Sequence, residues 1–327
     1  MSDTNLLCEI DKKPFSFVVA ADMHYRGGTS LAEDSWPVDY SWVFPKMLDD
    51  IATLASKPKH LIVVGDLVEG YNMHPWECTP ERYDSQYKHF LNDLAKLDPQ
   101  ITFVPVVGNH DYHRLRLEND PNKIIHVGPE KFAQYMFPKV PTIAKPQKSP
   151  YYSFNCGNIH FTIICTGLLI EEIEDGVNNA DDYNDLVYDK QYKWLSTDLK
   201  KAAADPDIEH VLVFGHRNFY PMKGKKSCQR LLVIQQRIWK DLFVKYGVDA
   251  YIHGHYHVYE HTLHAHVPML CLGGGSALDK VPDVVKDGFN HYAVFEVNGP
   301  DIKVNIFRLF KEKKSVLYES FMLLDRP

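Results

Sequence analysis

Apolar residues in this chain gather in short runs, and several of those runs stop abruptly at residues that carry chemistry. Residues 16–21 (SFVVAA) run into Asp22-Met23-His24, and residues 60–64 (HLIVV) into Gly65-Asp66. Residues 101–107 (ITFVPVV) end in Gly108-Asn109-His110-Asp111, residues 210–214 (HVLVF) in Gly215-His216, and residues 248–252 (VDAYI) in His253-Gly254-His255-Tyr256-His257. Each run has the length and β-branched content of a buried strand. A cluster of amide, imidazole and carboxylate at the mouth of such a strand must be paired or coordinated, because unpaired polar groups are costly there.

Between the strands the period changes to that of helices. Residues 43–55 place Phe44, Met47, Leu48, Ile51 and Leu54 on one face, and a second helix runs from Thr79-Pro80 to about residue 97. Residues 189–204 form a third, capped by Asp189, and residues 228–246 a fourth, with Leu231, Ile234, Ile238, Leu242 and Phe243 on its apolar side. Residues 151–155 and 159–165 read as a hairpin around Cys156-Gly157-Asn158. Segments 269–272, 292–297, 302–307 and 316–321 read as antiparallel strands. Two stretches break the rhythm. Residues 112–150 hold six prolines and only a short helical piece at 130–136, the pattern of an irregular cap over a site, and residues 171–185 form an acidic loop.

Alternating strands and helices make this an α/β chain, and no linker divides its 327 residues, so a single domain spanning 1–327 is expected. A formal net charge of -7 without a basic block argues against a nucleic-acid surface. No run is long enough to cross a bilayer, and the first residues lack a secretory apolar core. The six cysteines (Cys8, Cys78, Cys156, Cys165, Cys228, Cys271) show no CxxC spacing. They read as free thiols of a reducing compartment, which makes a cytoplasmic protein the expectation. No obligate protein partner can be inferred.

In open α/β sheets ligands bind beyond the carboxyl ends of strands, so the five polar strand ends can meet at one site. Oxygen and imidazole donors without thiolates suit a pair of divalent ions such as Mn, Fe or Zn. The Asp-x-His and His-x-His spacings put two donors on the same side of an extended segment.

In this order, Asp22-x-His24, Gly65-Asp66, Gly108-Asn109-His110-Asp111, Gly215-His216 and Gly254-His255-x-His257 resemble the calcineurin-like metallophosphoesterase superfamily, from about residue 15 to 262. The flanks Tyr152-Ser153-Phe154, Gln191-Tyr192-Lys193-Trp194-Leu195 and Gly254 to Glu260 are similar to its purple-acid-phosphatase branch. The resemblance implies a four-layer α/β/β/α sandwich of two mixed sheets, with the C-terminal strands from about residue 259 completing the second sheet. It assigns Asp22, His24, Asp66 and His257 to one metal and Asp66, Asn109, His216 and His255 to a second, with Asp66 bridging. It implies a metal-bridging hydroxide as nucleophile, and His110 acting on the leaving group with Glu69 as its orienting carboxylate.

Position 69 is where the purple branch carries a Tyr ligand, so a purple iron centre is not expected. Gly70 stands where the Ser/Thr-phosphatase branch has a phosphate-binding Arg. Arg217, with Asn109 and His110, is a candidate for substrate contact, as are His74, His113 and Arg114. Asp111 reads as a turn cap, His253 as a buried structural histidine, and Tyr256 and Tyr259 as packing residues. The resulting expectation is a phosphomonoesterase acting on a small phosphate ester or nucleotide. The alternatives are a phosphodiesterase or nucleotide pyrophosphohydrolase, and a non-catalytic binding module like the retromer subunit that shares the fold.

Overall fold

Strand β1 (Phe15–Ala20) shows how the sequence builds the layers. Phe17 and Val19 face one way, Val18 and Ala20 the other, and all four are fully buried. Both faces of the strand must therefore be covered, one by a second sheet and one by helices. The computed structural model describes residues 13–26, 40–70, 80–112, 115–117, 120–125, 127–141, 149–166, 189–220, 238–275 and 288–324.

The remaining elements are α1 (Val43–Ala52), β2 (His60–Val64), α2 (Pro80–Leu94), β3 (Thr102–Val106), β4 (Leu115–Leu117), β5 (Asp120–Ile125) and α3 (Val127–Met136). After them come β6 (Tyr152–Cys156), β7 (Ile159–Ile163), α4 (Asp189–Ala204), β8 (His210–Phe214) and β9 (Ala250–His253). The last five strands are β10 (Tyr259–His264), β11 (Val267–Leu272), β12 (His291–Asn298), β13 (Asp301–Arg308) and β14 (Val316–Met322).

One sheet has the order β14-β13-β12-β1-β2-β3 and the other β10-β11-β9-β8-β7-β6. Between them Phe17 stacks on Phe295 at 4.7 Å and meets Phe161 of the opposite sheet edge-on at 5.2 Å. Val64, Val106, Ile163, Phe214 and Ile252 fill the same layer. The outer face of the first sheet packs against α1, α2 and α3 through Phe44, Met47, Tyr87, Phe90 and Phe132, and that of the second against α4 and Trp239 through Leu195 and Leu199. This is the four-layer sandwich of two mixed sheets with helices outside.

Both sheets contain parallel cores, β1-β2-β3 and β7-β8-β9-β11. The carboxyl ends of β1, β2, β3, β8 and β9 come together along one edge of the sandwich, where their side chains are in contact.

Three expectations need correction. The C-terminal strands do not all complete the second sheet. Strands β10 and β11 join it beside β9, whereas β12–β14 extend the first, with β12 antiparallel to β1 in the register Phe17↔Phe295. Without that pairing β1, buried from Ser16 to Ala20, would present an unpaired edge inside the protein. The segment 112–150 is also less irregular than its prolines suggest, since it holds the β4–β5 ribbon and the ten-residue helix α3. Pro129 lies in the first turn of α3, where a missing N–H is tolerated.

Cysteine spacing proved uninformative about which thiols meet in space. Cys165 and Cys271 are buried and not in disulfides, but Cys156 is disulfide-bonded. The acidic loop and residues 228–237 of the fourth predicted helix lie outside the described residues too. Its described end, Trp239–Val244, has π-type hydrogen bonding and buries Trp239, Leu242 and Phe243.

Candidate metal centre

Four non-glycine residues at the strand ends have left-handed backbone angles: Asp22 (φ 62°), His24 (44°), Asp66 (50°) and His255 (71°). Such angles are costly for residues with a Cβ and persist where the surroundings impose them, often at functional sites. Among the described non-glycine residues the only others are Ala265 and His266, the two-residue turn between β10 and β11, where both positions of the hairpin need them. Gly65 has φ 81°, and a Cβ there would stand 2.3 Å from His216 Nδ1. Only glycine lets the β2 turn close against that ring.

The turns bring the donors together. Asp22, His24, Asp66 and His257 each offer one atom, all within 4.8 Å of one another, and Asp66, His216 and His255 do the same. Asp66 belongs to both sets. Asn109 Oδ1 joins the second, 3.2 Å from His216 Nε2 and 3.0 Å from His255 Nδ1. All seven positions expected to hold metal therefore sit in two adjoining clusters that share the expected bridging carboxylate. Asp22, His24, Asp66 and His216 are buried, while Asn109, His110, His255 and His257 are partly exposed and form the open side.

The hydrogen-bond partners of the ligand histidines fit cations. His216 Nδ1 faces the Val64 carbonyl at 2.9 Å, and a carbonyl only accepts, so Nδ1 carries the proton. In the neutral ring Nε2 is then a lone pair, yet it points at two more acceptors, Asp66 Oδ2 at 3.0 Å and Asn109 Oδ1 at 3.2 Å. His24 repeats the pattern. Its Nδ1 donates to Glu69 Oε2 at 3.0 Å, which leaves Nε2 facing His257 Nε2 at 3.1 Å and Asp66 Oδ2 at 3.5 Å. Lone pairs converging on lone pairs need a positive charge between them, either a proton or a metal ion. The donor set fits divalent ions with nitrogen and oxygen preference.

The titration behaviour follows from the same geometry. Burial alone would raise the Asp22 and Asp66 carboxyls, but His216, with His24 and its neighbours, outweighs it and holds both well below the carboxylate range. Burial would depress His24 and His216, and the facing carboxylates reverse it. Glu69 and Asp22 raise His24, and Asp66 and Asp22 raise His216 to about 9. In the metal-free protein protons take the place of cations. His255 is held well below its ordinary value, first by burial and then by the charge of Arg217, which is half-buried beside the site.

His110 points its Nδ1 at the backbone carbonyl of Glu69, 2.7 Å away, so Nδ1–H donates there and Nε2 is the atom left to exchange a proton. Burial, ahead of the charges around it, lowers its pKa. The Glu69 carboxylate, expected to orient His110, lies 3.8 Å from that ring and only 3.0 Å from His24. A one-residue reading of Gly-Asp-x-x-Glu does not show this, because the carbonyl and carboxylate of one residue point in different directions.

Asp111 does more than cap a turn. Its buried carboxylate accepts from Gly108 N (2.9 Å), Leu67 N (3.1 Å), Val68 N (3.3 Å) and Tyr87 OH (3.3 Å), locking the β2 and β3 turns together. Gly70 belongs to the same lock, since a Cβ at its φ of 77° would lie 2.3 Å from the His110 carbonyl, which excludes an Arg there. The flanking motifs are packing devices. Gln191 bonds both the N–H and the carbonyl of Cys165, and Tyr152 OH reaches the Pro105 carbonyl. His253 is buried and donates to the Gly254 carbonyl, and Tyr259 donates to Glu319. His74, His113 and Arg114 lie outside the described residues.

Comparison with known proteins bears on the family and the fold. The family model for calcineurin-like phosphoesterases matches residues 15–259. The chain is 26% identical over 224 residues to purple acid phosphatase 15 of Arabidopsis thaliana, covering 63% of this chain and 36% of that protein. It is 24% identical over 256 residues to the serine/threonine-protein phosphatase CPPED1 of Bos taurus, covering 75% and 70%. Among solved structures, purple acid phosphatase PPD1 of yellow lupin (Lupinus luteus) superposes with a TM-score of 0.63 at 15% identity, over 95% of this chain and 54% of the lupin chain. GAP50, described as the anchor in the inner membrane complex of Plasmodium, superposes with a TM-score of 0.59 at 12% identity, over 96% and 90%. No helix among the described residues is long and apolar enough to cross a membrane. The chain belongs to the calcineurin-like phosphoesterase family, whose model spans the five strand ends that supply these donors.

Proposed function

We propose that the protein is a phosphomonoesterase working with two divalent ions, Mn, Fe or Zn. The observation that carries the reading is the paired cluster of donors sharing Asp66, with imidazole lone pairs turned toward carboxylate oxygens. Asp22, His24, Asp66 and His257 would hold one ion and Asp66, Asn109, His216 and His255 the other. When bound, the pair supplies Lewis acidity and an acidified water. His110 stands on the open side with its Nδ1–H fixed on the Glu69 carbonyl, so Nε2 exchanges the proton of the leaving oxygen. Arg217, next in chain to His216, adds positive charge for the phosphate. The substrate is a small phosphate ester or nucleotide.

Two relatives bear the name phosphatase, which supports monoesters over diesters. A fold shared with an anchoring protein carries no weight against catalysis, because fold alone does not decide function. The test compares p-nitrophenyl phosphate with bis-p-nitrophenyl phosphate after loading with Mn. Faster cleavage of the monoester is expected, faster cleavage of the diester would make the protein a diesterase, and cleavage of neither would leave a binding module. For the compartment, the absence of a disulfide at Cys165 and Cys271 favours the cytoplasm and the Cys156 disulfide counts against it. Cell fractionation decides between them.

A further inference from the structure

The mechanism above uses Glu69 only through its backbone. Its side chain is 4% exposed and engages His24 instead. Oε2 lies 3.0 Å from His24 Nδ1, while Oε1 is 3.8 Å from His110 Nδ1 and Arg26 Nε is 3.8 Å from Oε2. The His24 and His110 rings meet edge to face at 4.4 Å. Two histidines of different purpose are thus held by two ends of one residue, His24 by the carboxylate and His110 by the carbonyl.

We propose that Glu69 is a positioning residue for the first ion, setting the tautomer and tilt of His24 so that Nε2 faces Asp22, Asp66 and His257. The physical basis is general. An imidazole ligand presents a lone pair from one nitrogen only if the other keeps its proton, and a carboxylate on that second nitrogen fixes both the tautomer and the ring plane. His24 has a left-handed backbone (φ 44°), so its ring is not held by a regular strand or helix. The buried carboxylate is the side-chain contact that fixes its Nδ1 edge. Because the same residue's carbonyl holds His110, displacement of residue 69 also disturbs the proton-exchanging ring. The inference rests on the two-ion reading of the centre.

The experiment titrates the metal-free protein with Mn and with Zn against a chromophoric chelator, without any turnover measurement. Glu69→Gln keeps the reach and an acceptor oxygen while losing the charge. Glu69→Asp keeps the charge and loses a methylene of reach. The expected result is that Glu69→Gln binds both ions within about threefold of wild type. Glu69→Asp should lose roughly 10- to 100-fold at one ion only. Binding of the second ion reports that each variant is folded. Unchanged affinity in Glu69→Asp, equal loss of both ions, or greater loss in Gln than in Asp would each overturn the role. A wild-type chain that binds no ion would instead overturn the two-ion reading beneath it.

Discussion

The Nε2 atoms of His24 and His257 lie 3.1 Å apart although 233 positions separate them in the chain. With its Nδ1–H on Glu69, neutral His24 presents a lone pair at Nε2, which is satisfied either by an Nε2–H of His257 or by a cation held between the two nitrogens. The two sheets are what bring them so close, since His24 leaves β1 of one and His257 follows β9 of the other.

Metal uptake should therefore displace protons. His216, raised to about 9, and His24, raised above its ordinary value, both carry charge at pH 7 in the metal-free chain. Their folded values exceed the unfolded one. Their stabilisation of the metal-free fold is complete below about pH 6.5 and is lost at higher pH, that of His216 as the pH climbs toward 9. The melting temperature of the metal-free protein should fall over that window. Metal affinity should rise across it by roughly tenfold per pH unit for each proton displaced. Calorimetric titration in buffers of different ionisation enthalpy counts the protons, and no release at pH 7 would contradict the assignment.

Removing the exchanging imidazole should separate chemistry from binding. His110→Ala is expected to keep both ions by elemental analysis and to lose about 10²- to 10⁴-fold in kcat on p-nitrophenyl phosphate. A phenol as poor leaving group should suffer more than p-nitrophenol, which needs little protonation. Equal losses on the two esters would move His110 from proton exchange to binding.

The turn at Gly65 tolerates no side chain. Gly65→Ala puts a methyl 2.3 Å from the His216 ring at a φ of 81°. The left-handed backbone alone costs about 1–2 kcal/mol, and the ring must shift from the Val64 carbonyl and Asp66. A lowered melting temperature together with weakened binding of one ion is the expected outcome, read by calorimetry and metal titration. A chain with wild-type melting and affinity would mean that His216 relocates without consequence.

Asp111 should prove a stability residue. Asp111→Ala strands the N–H groups of Gly108, Leu67 and Val68 in the interior, at about 1–3 kcal/mol each. Urea denaturation of the metal-free protein should show a loss of at least about 3 kcal/mol. Asp111→Asn, which keeps one acceptor oxygen, should lose less. Equal stability of all three proteins would remove the lock between the turns.

Much of this was readable in one dimension. Strands β2 and β8 and helix α4 run where the hydrophobic period put them, because a strand buried on both faces needs an unbroken apolar run and an amphipathic helix needs a 3.6-residue stripe. The donor types were equally legible, since little besides coordination explains carboxylate, imidazole and amide at the ends of five such strands. Pairing was not. Nothing in the alternation of residues 292–322 says that β12 lies against β1 rather than beside β11, because the choice depends on which buried edge is open once both sheets have formed. Nor could the spelling Gly-Asp-x-x-Glu tell that the Glu69 carboxylate serves His24 while its carbonyl serves His110. Sequence sets which chemical groups are available at each turn. The left-handed backbone of those turns and the packing of one sheet on the other decide which group meets which, because contacts between positions 22, 66, 109, 216 and 255 exist only after the chain has closed on itself.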